Sequence, residues 1–245
     1  MKRVIVYGDL HGCLDELKAL REKLKIQPED MEISVGDILN KGPYLADKMI
    51  AYLKEHNFKV VIGNNEAKAL RQYNKYKKEG EEYLKTLRPF ECATVLSIRE
   101  KEFSYLHSLP YFYKIDNLTI LHGGLAPGVH LSEDMDDVIK KEITLIRYLD
   151  KNFQPVSWSD RANPGNKFWS EIYDGREGFI VAGHHPFPSP KEEKYALDID
   201  TGCVYGGCLT AVIFTKNKKR FDTKNYTFVS QKAYHDYWGE YLKGR

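Results

Sequence analysis

The apolar residues of the chain fall into short runs rich in β-branched side chains, and each run stops at glycine or histidine. VIVY runs into GDLHG, EISV into GDILNKG, KVVI into GNNE, LTIL into HGG and FIVA into GHH. Four consecutive apolar residues suit a strand buried on both faces better than an amphipathic helix. After the first three runs the period changes. Leu14, Leu17, Leu20 and Leu24 recur at helical spacing, and Pro43 stands where a first helical turn tolerates proline. These are β-turn-α units, and in open α/β sheets the loops leaving the carboxyl ends of strands gather on one edge, where ligands bind. The five polar clusters are therefore expected to converge.

Further along, LDID, LTAVIF and NYTFVS follow with few helices between them and predict a second sheet with antiparallel pairing. The fold class is accordingly α/β with α+β character, two packed mixed β-sheets flanked by helices. At 245 residues, one large domain over 1–245 is expected, with 216–245 as a peripheral strand and C-terminal tail. KYKKEGEEYLK at 75–85 reads as a solvated helix face. QKAYHDYWGEYLKGR at 231–245 reads as an aromatic-rich helix docked on its own domain, with an oligomer contact as the alternative.

Composition narrows the partners. Hydrophobic residues at 42% and charged residues at 29% describe a chain able to build a packed core, not a disordered one. Net charge is +2, from 37 basic and 35 acidic residues, which gives no footprint for nucleic acid or an anionic membrane. No apolar run approaches a membrane span, and MKRVIVYGD holds too few apolar residues for a signal-peptide core. Cys13, Cys92, Cys203 and Cys208 lack zinc-ribbon spacing and read as reduced thiols, so the cytoplasm is the expected compartment.

The chemistry lies at the run ends. Asp9 and His11 are two apart, so in an extended conformation they point to the same side. Asp37, Asn64, His122 and His184 each leave a separate strand end, adding a carboxylate, an amide oxygen and two imidazoles. This hard donor set, without thiolate, suits Mn, Fe, Zn or similar ions, and a carboxylate such as Asp37 can bridge two ions about 3.5–4 Å apart. Two such ions outweigh two carboxylates, attract a phosphate dianion and lower the pKa of water, which makes metal-assisted phosphoester hydrolysis the reaction class.

The motifs GDLHG, GDILNKG, GNNE, HGG and GH resemble, in order and spacing, those of the calcineurin-like metallophosphoesterases. The resemblance is to the branch holding Ser/Thr protein phosphatases, the lambda-phage phosphatase and symmetrical diadenosine tetraphosphatases. It extends through LPYFYKIDNLTILHGGLAPG and IDTGCVYGGCLTAVIF and covers residues 3 to 215. It implies a four-layer αββα sandwich in which Asp9, His11 and Asp37 hold one divalent ion and Asp37, Asn64, His122 and His184 hold the other. Mn²⁺ is the expected ion, with Fe, Zn, Ni or Co as alternatives. The implied substrate is a phosphorylated small molecule, a nucleoside polyphosphate or a phosphoprotein, with neither nucleic acid nor membrane as partner.

The chain also departs from the pattern. Family members usually read GNHE, where the histidine protonates the leaving oxygen, steadied by the Asp of GDxxDRG. Here Asn65 and Asn40 occupy those two places, and Lys41 stands where a phosphate-binding Arg would. Asn cannot donate a proton to an alkoxide, and Lys lacks the bidentate fork of Arg. The expected catalytic set is Asp37, Asn65 and Asn40. The expected phosphate contacts are Lys41, Asn64 and one arginine, with Arg161 in SWSDRAN preferred and Arg147 in LIRYLD as the alternative. His185 is expected to line the pocket, and His56, His107, His130 and His235 have no context marking a substitute acid. Residues 66–108 and 158–169 are expected to shape substrate choice. Two rival readings are a catalytically weak pseudophosphatase that binds metal and a phosphorylated ligand, and a nucleic-acid phosphodiesterase, for which no basic-aromatic stripe is present.

Overall fold

In the computed structural model, which describes residues 3–157 and 159–244, strands and helices alternate through the first third of the chain. β1 (Arg3–Tyr7) leads to α1 (Leu14–Leu24), β2 (Met31–Ser34) to α2 (Ala46–Glu55), and the two-residue β3 (Lys59–Val60) to α3 (Asn64–Glu79). The three strands are parallel neighbours, so their polar loops leave from one edge. Leu14, Leu17, Leu20 and Leu24 are all buried along α1, as their spacing predicts. Pro43 does not open α2, which starts three residues later. Asn40 and Lys41 are both at φ 71, incompatible with a helix, and Tyr44 N–H instead donates to Gly12 O (3.2 Å), closing the loop over the first motif. α4 (Glu81–Leu84), α5 (Pro89–Ser97) and α6 (Glu100–His107) follow, and residues 75–85 are mostly exposed, as predicted.

The second sheet begins with the hairpin β4 (Phe112–Ile115) and β5 (Leu118–Leu121). After α7 (Asp137–Leu145), a small ribbon forms from β6 (Tyr148–Leu149) and β7 (Lys167–Phe168), followed by α8 (Trp169–Ile172). β8 (Phe179–Ala182), β9 (Lys191–Glu193) and β10 (Ala196–Asp198) complete a sheet ordered β4-β5-β8-β10-β9, in which β5, β8 and β10 are parallel.

The chain then returns to the first sheet through β11 (Cys208–Asn217), β12 (Arg220–Phe221) and β13 (Thr227–Lys232) before α9 (Tyr237–Lys243). This corrects the sequence expectation for the late segments, of which only β10 joins the second sheet. β11 runs antiparallel along the open edge of β1, with Ile5 opposite Ile213, and β13 pairs antiparallel with β11. The two-sided apolar pattern of β11 fits a central strand, and β1 offers a strand of the same kind.

Alternation within these strands sets the layers. Val4, Val6, Ile33, Val212 and Phe214 meet Leu118, Ile120, Phe179, Val181 and Leu197 between the sheets. Ile5, Tyr7 and Leu209 turn outward onto the leucines of α1 and onto Met49 and Leu53 of α2. Leu121, Ile180 and Ala182 turn outward on the other side, against Ile143 of α7 and Trp169 of α8. The result is helix, sheet, sheet, helix. α9 docks on its own chain: Tyr237 Oη donates to Glu16 (2.8 Å), and the rings of Trp238 and Tyr241 meet Phe90 at 5.3 and 5.5 Å. Among the described residues no helix is long and apolar enough to cross a membrane.

Candidate metal centre

The loops leaving β1, β2, β3, β5 and β8 bring Asp9, His11, Asp37, Asn64, His122 and His184 to one buried point. Donor atoms of Asp9, His11 and Asp37 all lie within 4.8 Å of one another, and so do those of Asp37, His122 and His184. Asn64 joins the second group, its Oδ1 3.0 Å from His122 Nε2. Strand alternation does not aim these groups. His11 (φ 43), Asp37 (φ 47) and His184 (φ 74) sit in the left-handed region, which costs non-glycine residues free energy and persists where the surroundings over-determine it, commonly at functional sites. Close approach requires glycine ahead of two predicted ligands: a Cβ at Gly63 would lie 2.3 Å from Asp37 Oδ1, and one at Gly183 2.1 Å from Asp9 Oδ1.

The hydrogen bonds fix the ring tautomers, because a backbone carbonyl only accepts. His11 Nδ1 donates to Leu39 O (3.0 Å), His122 Nδ1 to Val35 O (2.9 Å) and His184 Nε2 to Leu145 O (3.2 Å). The opposite nitrogen of each ring then carries a lone pair, which on His122 faces only acceptors and on His11 and His184 also has Lys41 Nζ (3.3 Å) and Arg147 Nη2 (3.5 Å) near it. His122 Nε2, Asn64 Oδ1 and Asp37 Oδ1 meet at 3.0 and 3.3 Å with no proton to share among them. His11 Nε2 lies 3.6 Å from Asp37 and 3.8 Å from Asp9. Acceptors that converge in this way repel unless a cation sits among them, so these residues fit a metal pair. Burial reinforced by the Lys41 charge holds His11 down to about 3, and burial also lowers His122 and His184, which keeps the rings in the neutral, ligating form. Burial next to Asp200 and Asp37 pushes the Asp9 carboxyl well above its usual range, a cost that bound cations offset.

Asn65 is built into this centre as an orienting group. Its backbone N–H donates to Asp37 Oδ1 (2.9 Å) and its side-chain amide donates to Asp37 Oδ2. Its carbonyl accepts from Asn40 Nδ2 (3.0 Å), and Asn40 Oδ1 accepts from Thr94 Oγ1 of α5 (2.6 Å). This relay runs from α5 to Asp37 without a titratable group. Glu66, which the sequence reading passed over, is fully buried and accepts from the N–H groups of Asp37 (2.8 Å), Leu39 (3.1 Å) and Gly63 (2.9 Å). It staples the second loop to the start of α3, and its sequence signal was the capping-box spacing from Gly63. Asp200 was also passed over; it is buried near Asp9, and burial pushes it up to about 6.

Around the cluster lie cations. Lys41 Nζ sits 3.3 Å from His11 Nε2 and donates to Tyr205 Oη (2.7 Å). Of the two arginines, Arg147 reaches a predicted ligand, with Nη2 3.3 Å from His184 O and 3.5 Å from His184 Nδ1. Arg161 lies in the loop between β6 and β7, and its charge acts on His185. The His185 ring packs against Phe187 (4.6 Å) and Phe168 (5.4 Å), and burial together with Arg147 and Arg161 holds it down to about 4. The other histidines have separate contacts: His130 with Glu177, His235 with Glu240, His56 with Tyr52 and His107 with Phe103.

A cleft of about 470 Å³ opens beside Asn64, lined by Lys68, Arg71, Lys141 and Tyr111 among others. Lys68 and Arg71 come from the 66–108 stretch. At the other expected substrate-shaping stretch, Trp158 lies outside the described residues and Trp169 is fully buried, so Trp169 supports the HGG turn from beneath.

With this geometry in place, the comparisons with known proteins agree with one another. The family profile described as calcineurin-like phosphoesterase matches residues 2–229. A bis(5'-nucleosyl)-tetraphosphatase PrpE [asymmetrical] of Oceanobacillus iheyensis is 26% identical over 94% of this chain and 96% of its own length. A relative of the same name from Geobacillus sp. (strain WCH70) is 29% identical, over 85% of this chain and 89% of its own. Among solved structures, one proposed to be a diadenosine tetraphosphatase superposes with a TM-score of 0.74 at 26% identity, covering 95% of this chain and 94% of the other. A serine/threonine phosphatase of Saccharomyces cerevisiae superposes with a TM-score of 0.56 at 16% identity, covering 95% of this chain and 80% of its own, and shares the fold.

Proposed function

The chain belongs to the calcineurin-like phosphoesterases, metal-dependent hydrolases of phosphoester bonds, and from that premise we propose that it cleaves nucleoside polyphosphates at a pair of divalent ions, manganese by preference, in the cytoplasm. The observation that carries this reading is the convergence of Asp37 Oδ1, Asn64 Oδ1 and His122 Nε2 as unprotonated acceptors. Asp9, His11 and Asp37 hold one ion in this proposal, and Asp37, Asn64, His122 and His184 the other. Such a pair, when bound, polarises phosphoryl oxygens and lowers the pKa of water.

The protein's own side chains supply the rest. Arg147 and Lys41 bind non-bridging phosphate oxygens from opposite sides of the cluster, and the Asn64 amide lies within reach of the same phosphate. Asn65 fixes Asp37 through two hydrogen bonds and donates no proton to a leaving group. The leaving group therefore departs as an anion, which a nucleotide phosphate with a pKa of about 6 does readily. Lys68, Arg71 and Lys141 in the adjoining cleft suit the remaining phosphates, and Tyr111 adds an aromatic ring to its wall. The names of the relatives support this substrate class.

The test is Mn²⁺-dependent release of nucleotide from diadenosine tetraphosphate, set beside a phosphoserine peptide. The tetraphosphate is expected to turn over much faster; equal rates would contradict the substrate class. Manganese uptake without turnover of any phosphate substrate would favour the binding-protein alternative. Arg147→Ala is expected to lower kcat/KM by about 10–100-fold, the range for losing a charge-assisted hydrogen bond. Arg161→Ala is expected to change it less, and the reverse order would exchange their roles.

A further inference from the structure

Behind the loop that carries Asp9 and His11 lies a second cluster of different chemistry. Cys13 caps the start of α1, Glu16 lies in its first turn, and Cys203 opens the short 3₁₀ turn Cys203–Tyr205. The two sulfurs and a Glu16 carboxylate oxygen all lie within 4.8 Å of one another. Cys13 and Glu16 are 0% exposed and Cys203 is 2% exposed. Glu16 Oε1 accepts from Tyr237 Oη (2.8 Å) and from the Tyr234 N–H (3.0 Å), whereas Oε2 is buried with no hydrogen-bond partner among the described residues.

We propose that Cys13, Glu16 and Cys203 bind one thiophilic divalent cation, zinc by its chemistry, as a site separate from the catalytic pair. The donor set differs in kind from the first site. Two thiolates and a carboxylate oxygen select a borderline-soft ion such as Zn²⁺, whereas the catalytic cluster offers oxygen and imidazole only. The Cys13 and Cys203 thiols hydrogen-bond each other and leave Oε2 without a donor, which speaks for a cation and against a disulfide. A disulfide between Cys13 and Cys203 would leave that oxygen buried and unpaired, an arrangement native interiors avoid, whereas a cation satisfies both sulfurs and the carboxylate together. Tyr234 and Tyr237 hold the carboxylate in the way that outer partners orient a metal ligand. On binding, the two thiols release their protons to solvent and no group changes oxidation state.

The location gives such an ion a structural consequence. Cys13 N–H donates to Leu10 O (2.7 Å) within the turn that presents His11, and Tyr205 at the end of the Cys203 turn holds Lys41. Tyr234 and Tyr237 belong to the C-terminal segment. The ion would therefore brace the first catalytic loop, the Lys41 support and the tail against one another.

The experiment is a Co²⁺ titration of the full chain, reduced and metal-free, followed by absorption. A sulfur-to-cobalt charge-transfer band is expected that saturates at the intensity of one thiolate-bound cobalt per chain and is bleached by zinc. The band is expected to persist in Asp37→Asn, which lacks the shared carboxylate of the catalytic cluster, and to vanish in Cys203→Ser. Glu16→Gln is expected to weaken cobalt binding at this site by at least about 10-fold. No band in the wild-type chain overturns the proposal whether or not any variant folds. A band retained in folded Cys203→Ser assigns the sulfur elsewhere and also overturns it, and unchanged affinity in Glu16→Gln removes the carboxylate from the site.

Discussion

Asp37→Asn is expected to lower kcat/KM for a dinucleoside polyphosphate by at least about 10³-fold while leaving the fold intact. Loss of an outer partner of a metal ligand alone costs about 10–100-fold in affinity or activity, and Asp37 is the one residue that belongs to both donor groups. Its two oxygens face His11 on one side and His122 on the other. Asn keeps the shape but removes the charge and turns one acceptor into a donor aimed at lone pairs. Stability separates this loss from misfolding. Without metal, the variant is relieved of the repulsion between Asp37 and Asp9 but loses a buried hydrogen bond from Asn65, so its Tm is expected at or somewhat below that of the wild type, with a cooperative transition retained. Manganese is expected to raise the wild-type Tm by mass action and to leave the variant unchanged. Activity within tenfold of wild type would contradict the assignment.

The second large effect concerns the leaving group. A general acid supplies about 10²–10⁴ in rate, and the Thr94–Asn40–Asn65 relay contains none. Turnover is therefore expected to fall steeply along a series from nucleotide phosphate, with a pKa of about 6, through phenolate near about 10, to alkoxides near the value for water of about 15.7. The paired change Asn65→His with Asn40→Asp is expected to raise hydrolysis of an alkyl phosphate by about 10²-fold or more, at the low end of a general acid's contribution. Anhydride hydrolysis in the same variant is expected to move by less than about tenfold, since that leaving group needs no proton. A rate independent of leaving-group pKa in the native chain would show that some other residue donates the proton.

Much of this architecture is legible in the sequence because burial wrote it there. The leucines of α1 and the β-branched runs of β1, β2, β5 and β8 announce their elements through period alone, and the motifs at their ends carry the side chains that the fold gathers at one point. Sheet membership is less legible. The apolar run of β11 would look the same in either sheet, and only its pairing beside β1 decides. Proximity in sequence likewise does not reveal that the charge of Arg161 acts on His185 while Arg147 turns to His184. The aiming of His11, Asp37 and His184 depends on left-handed backbones at non-glycine residues, a conformation that nothing in their local sequence calls for. Asn65 reads as a missing acid in one dimension. Its place as the group that orients Asp37 emerges only when β2, α3 and α5 come together.

A crystal grown with manganese, with anomalous scattering recorded at the manganese edge, tests the metal centre most directly. Two peaks about 3.5–4 Å apart are predicted, with Asp37 between them, one beside Asp9 and His11 and the other beside Asn64, His122 and His184. A cluster without anomalous signal, or a single peak that Asp37 does not touch, would contradict the account.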